Sequence, residues 1–146
     1  MSQHLTASLA LLTLLVCGCG APKRTGPGAV DADAPTEFTT TDSGLKYRVL
    51  RRAEGPKPSA TTKVAVDYSG WLDNGKIFDS SYNRNEPTEF RLNQVISGWT
   101  EGLQLMSVGS MYEFEIPSEL AYGEPGRPGI PPNSTLHFKV ELHEIK

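Results

Sequence analysis

Few side chains in this sequence are placed to do covalent chemistry. Ser80 and Ser81 are adjacent hydroxyls that could serve as nucleophiles, but a serine needs a base beside it, and no histidine is placed by spacing to act as one. Asp79, next to them, is a candidate general base. The three histidines, His4, His137 and His143, lack metal-ligand spacing; the last two fall in a strand pattern and read as surface or packing residues. Both cysteines, Cys17 and Cys19, lie near the N-terminus, so the remainder has neither a disulfide nor a thiol nucleophile. The sequence offers an apolar constellation instead. In Val95-Ile96-Ser97-Gly98-Trp99 an aliphatic pair meets a Ser-Gly step and then a tryptophan. A tryptophan at a helix start, under a loop carrying Val95 and Ile96, can floor an apolar pit. Taken alone, the stretch reads first as core, because large aromatics are mostly packing residues.

The elements that position these residues follow from periodicity. Trp99, Leu103 and Met106 recur at i, i+4 and i+7, so they share one face of a helix. Ser97 is expected to cap its N-terminus and Gly109 to stop it. Alternation predicts strands over Leu45–Arg51, Val64–Leu72, Ile77–Asp79, Thr88–Leu92, Ser110–Ile116 and Thr135–Ile145, the last with a break in pattern before Ile145. On the second, Val64, Val66, Tyr68 and Gly70 share a face. Asn74-Gly75 marks a tight turn. Residues 80–87 read as a bulge or loop, Ser118–Gly123 as a short helical turn, and Glu124–Pro132, with four prolines, as a loop of restricted shape. One helix among antiparallel strands is an α+β domain. A length of 146 residues fits one such domain. The net charge of −3, without a dense basic run, argues against a nucleic-acid partner.

The N-terminal third is different in texture. Leu5–Val16 is almost wholly apolar yet short of the ~20 residues of a spanning helix, as in a signal-peptide h-region. Val16-Cys17-Gly18-Cys19 resembles the lipobox of bacterial lipoproteins. The resemblance implies cleavage after residue 18 and acylation of Cys19, although residues 1–4 carry no Lys or Arg. Residues 19–41 then form the lipidated cysteine and a flexible Gly/Pro/Ala/Thr/Asp linker, and 42–146 the folded domain. Such an anchor would hold the domain at a membrane of the bacterial cell envelope, outside the cytoplasm.

From about Gly44 onward the ordered motifs Val66-Asp67-Tyr68-Ser69-Gly70, Gly75-Lys76-Ile77-Phe78-Asp79-Ser80-Ser81, Val95-Ile96-Ser97-Gly98-Trp99, Ala121-Tyr122-Gly123 and Gly129-Ile130-Pro131-Pro132-Asn133-Ser134-Thr135-Leu136 resemble an FKBP-type peptidyl-prolyl cis-trans isomerase. The resemblance implies a bent antiparallel β-sheet wrapped around one short α-helix. It makes Trp99 the pit floor beneath a substrate proline, walled by Tyr68, Phe78, Val95, Ile96 and Phe138. Ile96 would offer its backbone N–H, and Tyr122 its hydroxyl, to substrate carbonyls. Asp79 would sit at the edge, tied to Tyr68 and Arg84, and Ile130 would come from a flap. Asp79 is then an orienting group, since proton transfer gains nothing in a bond rotation. No cofactor or metal is implied; the implied partners are proline-containing polypeptides and the family's macrolide inhibitors. Two departures stand out: Thr88 replaces a frequent aromatic, and the flap Gly-Ile-Pro-Pro is one apolar residue shorter than in many relatives. The alternative is a module that grips proline-containing segments with little turnover.

Overall fold

The computed structural model describes residues 23–146. The signal segment and Cys19 lie outside the described residues. Eight elements build the domain: strands β1 (Thr39–Thr40), β2 (Lys46–Arg51), β3 (Lys63–Leu72), β4 (Ile77–Ser80) and β5 (Thr88–Arg91), helix α1 (Ser97–Leu105), then β6 (Met111–Ile116) and β7 (Leu136–Ile145). The strands form one antiparallel sheet in the order β1-β2-β6-β7-β3-β4, with β5 also pairing β3. Long β3 therefore has β7 along one edge and shares its other edge between β5, against Lys63–Val66, and β4, against Ser69–Trp71.

The helix lies on the sheet through its apolar face: Trp99, Leu103 and Met106 are all buried. Two glycines on α1 permit the close approach. A Cβ at Gly98 would lie 2.5 Å from Ile116 Cγ2, and one at Gly102 2.7 Å from the Phe114 ring. Below them Val64, Val66, Phe114, Leu136, Val140 and Leu142 complete the core. The expected turn forms at Asn74-Gly75, where Gly75 takes φ 81° and its N–H donates to the Leu72 carbonyl at 2.8 Å.

Three expectations need correction. Ser97 is the first helical residue rather than the cap; Ile96 takes the cap position, without a side-chain bond, and its carbonyl accepts from the Trp99 and Thr100 N–H groups. Gly109 does not end the helix, which stops at Leu105, but supplies a positive φ of 94° to the tight turn into β6. Residues 80–87 are not simply a loop: Ser80 closes β4 and Tyr82–Arg84 form a 3₁₀ turn with Tyr82 buried.

The linker reading also gives way from Arg24 onward. Arg24 pairs with Asp67, the Gly28 N–H donates to Glu141, Asp31 bonds the backbone of Leu50 and Arg52, and Phe38 lies under the Arg48 guanidinium at 5.0 Å. Local composition predicts no core for this segment, and it has none. It is held instead by polar partners brought together from β2, β3 and β7.

Candidate active site

The floor of a cavity of about 710 Å³ is Trp99 at the first turn of α1. Three aromatic rings meet it. Tyr68 from β3 and Phe138 from β7 each stand edge-on at 5.0 Å between centroids, and Phe90 from β5 is tilted at 5.2 Å. Phe78 closes the wall edge-on to Phe138 at 5.5 Å. Edge-to-face contacts suit the ring quadrupoles and fix each ring against its neighbour.

Strand geometry explains how these rings converge. Tyr68 and Gly70 share the core face of β3, and Phe138 is the β7 partner of Gly70. A Cβ at Gly70 would stand 2.6 Å from the Phe138 ring and 2.7 Å from Phe78 Cζ, so only glycine leaves room for both rings. Phe78 occupies a β-bulge: Gly70 pairs with Asp79 and Trp71 with Ile77, leaving Phe78 unpaired between them. Such a bulge re-aims a side chain, here into the cavity. Val95 and Ile96 line the half-buried rim before α1, and buried Ile130 comes in from the proline-rich loop. The Ile96 N–H has no hydrogen-bond partner among the described residues.

The rim is polar and its charges are mostly matched. The Tyr68 hydroxyl donates to Asp79 Oδ2 at 2.5 Å, while Arg84 donates to Asp79 Oδ1 at 2.6 Å, to Tyr68 Oη at 3.0 Å and to Thr88 Oγ1 at 3.1 Å. Burial pushes the Asp79 carboxyl upward, but the bonds from Tyr68 and Arg84 outweigh it and hold the group below its ordinary range. Burial, followed by the Asp79 bond, raises the Tyr68 phenol. Asp79 is therefore a fixed anion and Tyr68 a fixed neutral donor at neutral pH. Across the cavity, Arg127 donates to Tyr122 Oη at 2.9 Å and lies over its ring at 5.0 Å.

Ser81 is no catalytic nucleophile. Ser81 is wholly buried; its hydroxyl donates to Asp67 Oδ1 at 2.7 Å and accepts from the Tyr68 N–H at 2.9 Å. His143 bonds the other Asp67 oxygen at 2.8 Å. Serine, aspartate and histidine thus meet, but with the aspartate in the middle, so the imidazole cannot take the serine proton.

The family model for FKBP-type peptidyl-prolyl cis-trans isomerases matches residues 55–143. The chain belongs to the FKBP-type peptidyl-prolyl cis-trans isomerase family. It is similar to the isomerase FkpA of Aeromonas hydrophila, 55% identical over 107 residues that cover 73% of this chain and 40% of that protein. It is similar also to the outer membrane protein MIP of Legionella longbeachae, 45% identical over 105 residues covering 71% and 45%. Among solved structures, FkpA from Escherichia coli superimposes with a TM-score of 0.74 at 49% identity, covering 77% of this chain and 53% of the other. The chain spans less than half the length of both curated relatives.

In this FKBP-type domain the cavity gathers Tyr68, Phe78, Asp79, Val95, Ile96, Trp99, Tyr122, Ile130 and Phe138, with Arg84 bound to Asp79 at its edge. Thr88 lines the same wall. Four further lining residues escaped the sequence reading: Phe90, Gln94, Arg127 and Pro128. Phe90 was accessible in principle, since it lies two positions from Thr88 on one strand and must share its face. No local signal marks Arg127, whose approach to Tyr122 depends on how the loop folds back.

Proposed function

We propose that this domain is a peptidyl-prolyl cis-trans isomerase. The observation that carries the reading is a buried aromatic floor without a mobile proton: Trp99 is 6% exposed, ringed by Tyr68, Phe78, Phe90 and Phe138, while Asp79 is locked by Arg84 and Tyr68. Rotation about an X–Pro bond meets a barrier of about 18–20 kcal/mol set by amide resonance. No covalent bond breaks, and the twisted amide is less charge-separated than the planar one. An apolar pocket favours the twisted form over the ground state, and only that difference accelerates the step. The proline ring would rest on Trp99 while the preceding carbonyl turns, and holding the ring adds orientation. The Ile96 N–H would take one substrate carbonyl. Tyr122, whose oxygen accepts from Arg127, keeps its own proton to donate to another.

The substrates would be proline-containing segments of envelope or exported proteins, preferably with a bulky apolar residue before proline, and macrolides of the type that inhibit the family would compete for the pit. A lipid on Cys19 after removal of residues 1–18 and residence at an envelope membrane belong to the same proposal. They are supported by the Gly18-Cys19 step and the short apolar run before it, and by the printed name of the outer membrane relative.

A protease-free isomerisation assay on the chain tests the reading. Phe78→Ala should lower kcat/KM tenfold or more, about 1.4 kcal/mol or more of lost transition-state stabilisation. Because Phe78 is only half-buried, its stability cost should be smaller than that of a full core truncation. Ser81→Ala should turn over normally while losing about 1–3 kcal/mol of stability, through Asp67. Tight peptide binding with no rate above the uncatalysed one would make the domain a binder and not an isomerase.

A further inference from the structure

The proline-rich loop has two faces. One closes the aromatic cavity; the other lines a second cavity of about 560 Å³, walled opposite by Leu72, Asn74 and Lys76 of the β3–β4 turn. The two cavities share Arg127, Pro128 and Ile130, so they adjoin at the loop. The charges there are one-sided. Lys76 and Arg127 both line the second cavity, and among the described residues neither is in an ion pair. The nearby acids are engaged or outside the cavities: Asp79 is held by Arg84, Asp73 faces His137 at 2.7 Å, and Glu124 is exposed and lines neither cavity. Two unpaired cations beside an apolar pit are notable in a protein of net charge −3.

We propose that Lys76 and Arg127 form an acidic-residue subsite beside the proline pocket, which selects polypeptides carrying Asp or Glu close to the X–Pro bond. This rests on the isomerase reading for its use in turnover. The occupant is an acidic side chain of the bound polypeptide itself. The prolines around the groove, Pro125, Pro128, Pro131 and Pro132, keep its wall stiff and offer no N–H to compete for the carboxylate. Arg127 meets the carboxylate with the guanidinium edge that Tyr122 leaves free, and Lys76 acts as a point charge from the opposite wall.

The test uses peptide pairs identical but for Glu or Gln, placed in turn at each position within about four residues of the proline, a reach of roughly 13 Å for extended chain. The ratio of kcat/KM for Glu over Gln is read within one enzyme, so general damage to the pocket cancels. Exposed ion pairs change affinity by roughly 1.4- to 5-fold each. At low salt the unaltered chain should favour Glu about threefold or more at one position, and the preference should fade as salt rises. The ratio should fall to about one in Lys76→Gln/Arg127→Gln and invert in Lys76→Glu/Arg127→Glu. A ratio near one at every position at low salt would overturn the subsite, as would a preference that survives both substitutions. The same pairs are also titrated for binding by fluorescence anisotropy. If no peptide is turned over, the isomerase reading fails while the ratio of Kd values still decides the subsite.

Discussion

Thr88 stands at the wall position where the family resemblance leads one to expect an aromatic. Its side chain lines the pocket and its hydroxyl accepts from Arg84, so it fills a wall position with a polar group and leaves Phe90, two residues on, as the large ring against Trp99. Burying a phenylalanine against a ligand gains at most about 1.5–3 kcal/mol, and less at a rim. If macrolides occupy the pit as proposed, they should bind the native domain more weakly than a domain with an aromatic there. Thr88→Phe should tighten that binding by up to about tenfold. Peptide turnover should change only modestly, because the barrier effect acts over Trp99. Equal macrolide affinity in a folded Thr88→Phe domain would remove this residue from the binding wall.

Between strands, the decisive devices are bulges and buried acids. Asp67 on β3 and Glu141 on β7 are register partners, both buried on the face opposite Tyr68. Like charges placed so would repel, and each is answered separately. Glu141 takes Arg51, the Tyr82 hydroxyl and the Gly28 N–H, and Tyr82 has its phenol raised by burial and by that bond. Asp67 takes Ser81, His143 and Arg24. His143 reaches it from the bulge that leaves this residue unpaired between Leu142 and Glu144, the physical source of the break in the alternation of β7. Burial raises the Asp67 carboxyl, yet those partners outweigh it and leave it below its ordinary range. A depressed carboxyl contributes stability that is complete above its unfolded pKa, about 3.9, and is lost as pH falls through the lower folded value. Asp67→Asn should thus cost about 1–3 kcal/mol at neutral pH. In paired denaturant titrations the gap between the two proteins should hold down to about pH 5 and then close on further acidification. A gap independent of pH would mean that the charge of Asp67 contributes nothing.

Taken whole, the molecule is an FKBP-type domain whose N-terminal segment runs over the sheet on the side of Asp67 and Glu141, and no helix among the described residues is long and apolar enough to cross a membrane. Membrane attachment, in the proposed reading, then depends on Cys19. Cys19→Ser should leave the protein unacylated and shift it to the soluble fraction; a variant that still carries lipid and sediments with membranes would refute the assignment. Much of this architecture was legible in the linear chain. Alternation located the long strands, Asn74-Gly75 the turn, the i, i+4, i+7 spacing the buried face of α1, and ordered motifs the family, because each depends on near neighbours along the backbone. Three features were not legible: the bulge that aims Phe78, the pairing of Arg127 with Tyr122, and the capture of Arg24 by Asp67. Each depends on register between distant strands or on how a loop returns. A bulge shifts every later pairing by one residue, and an ion pair between positions as remote as 24 and 67 leaves no mark on the spacing around either one.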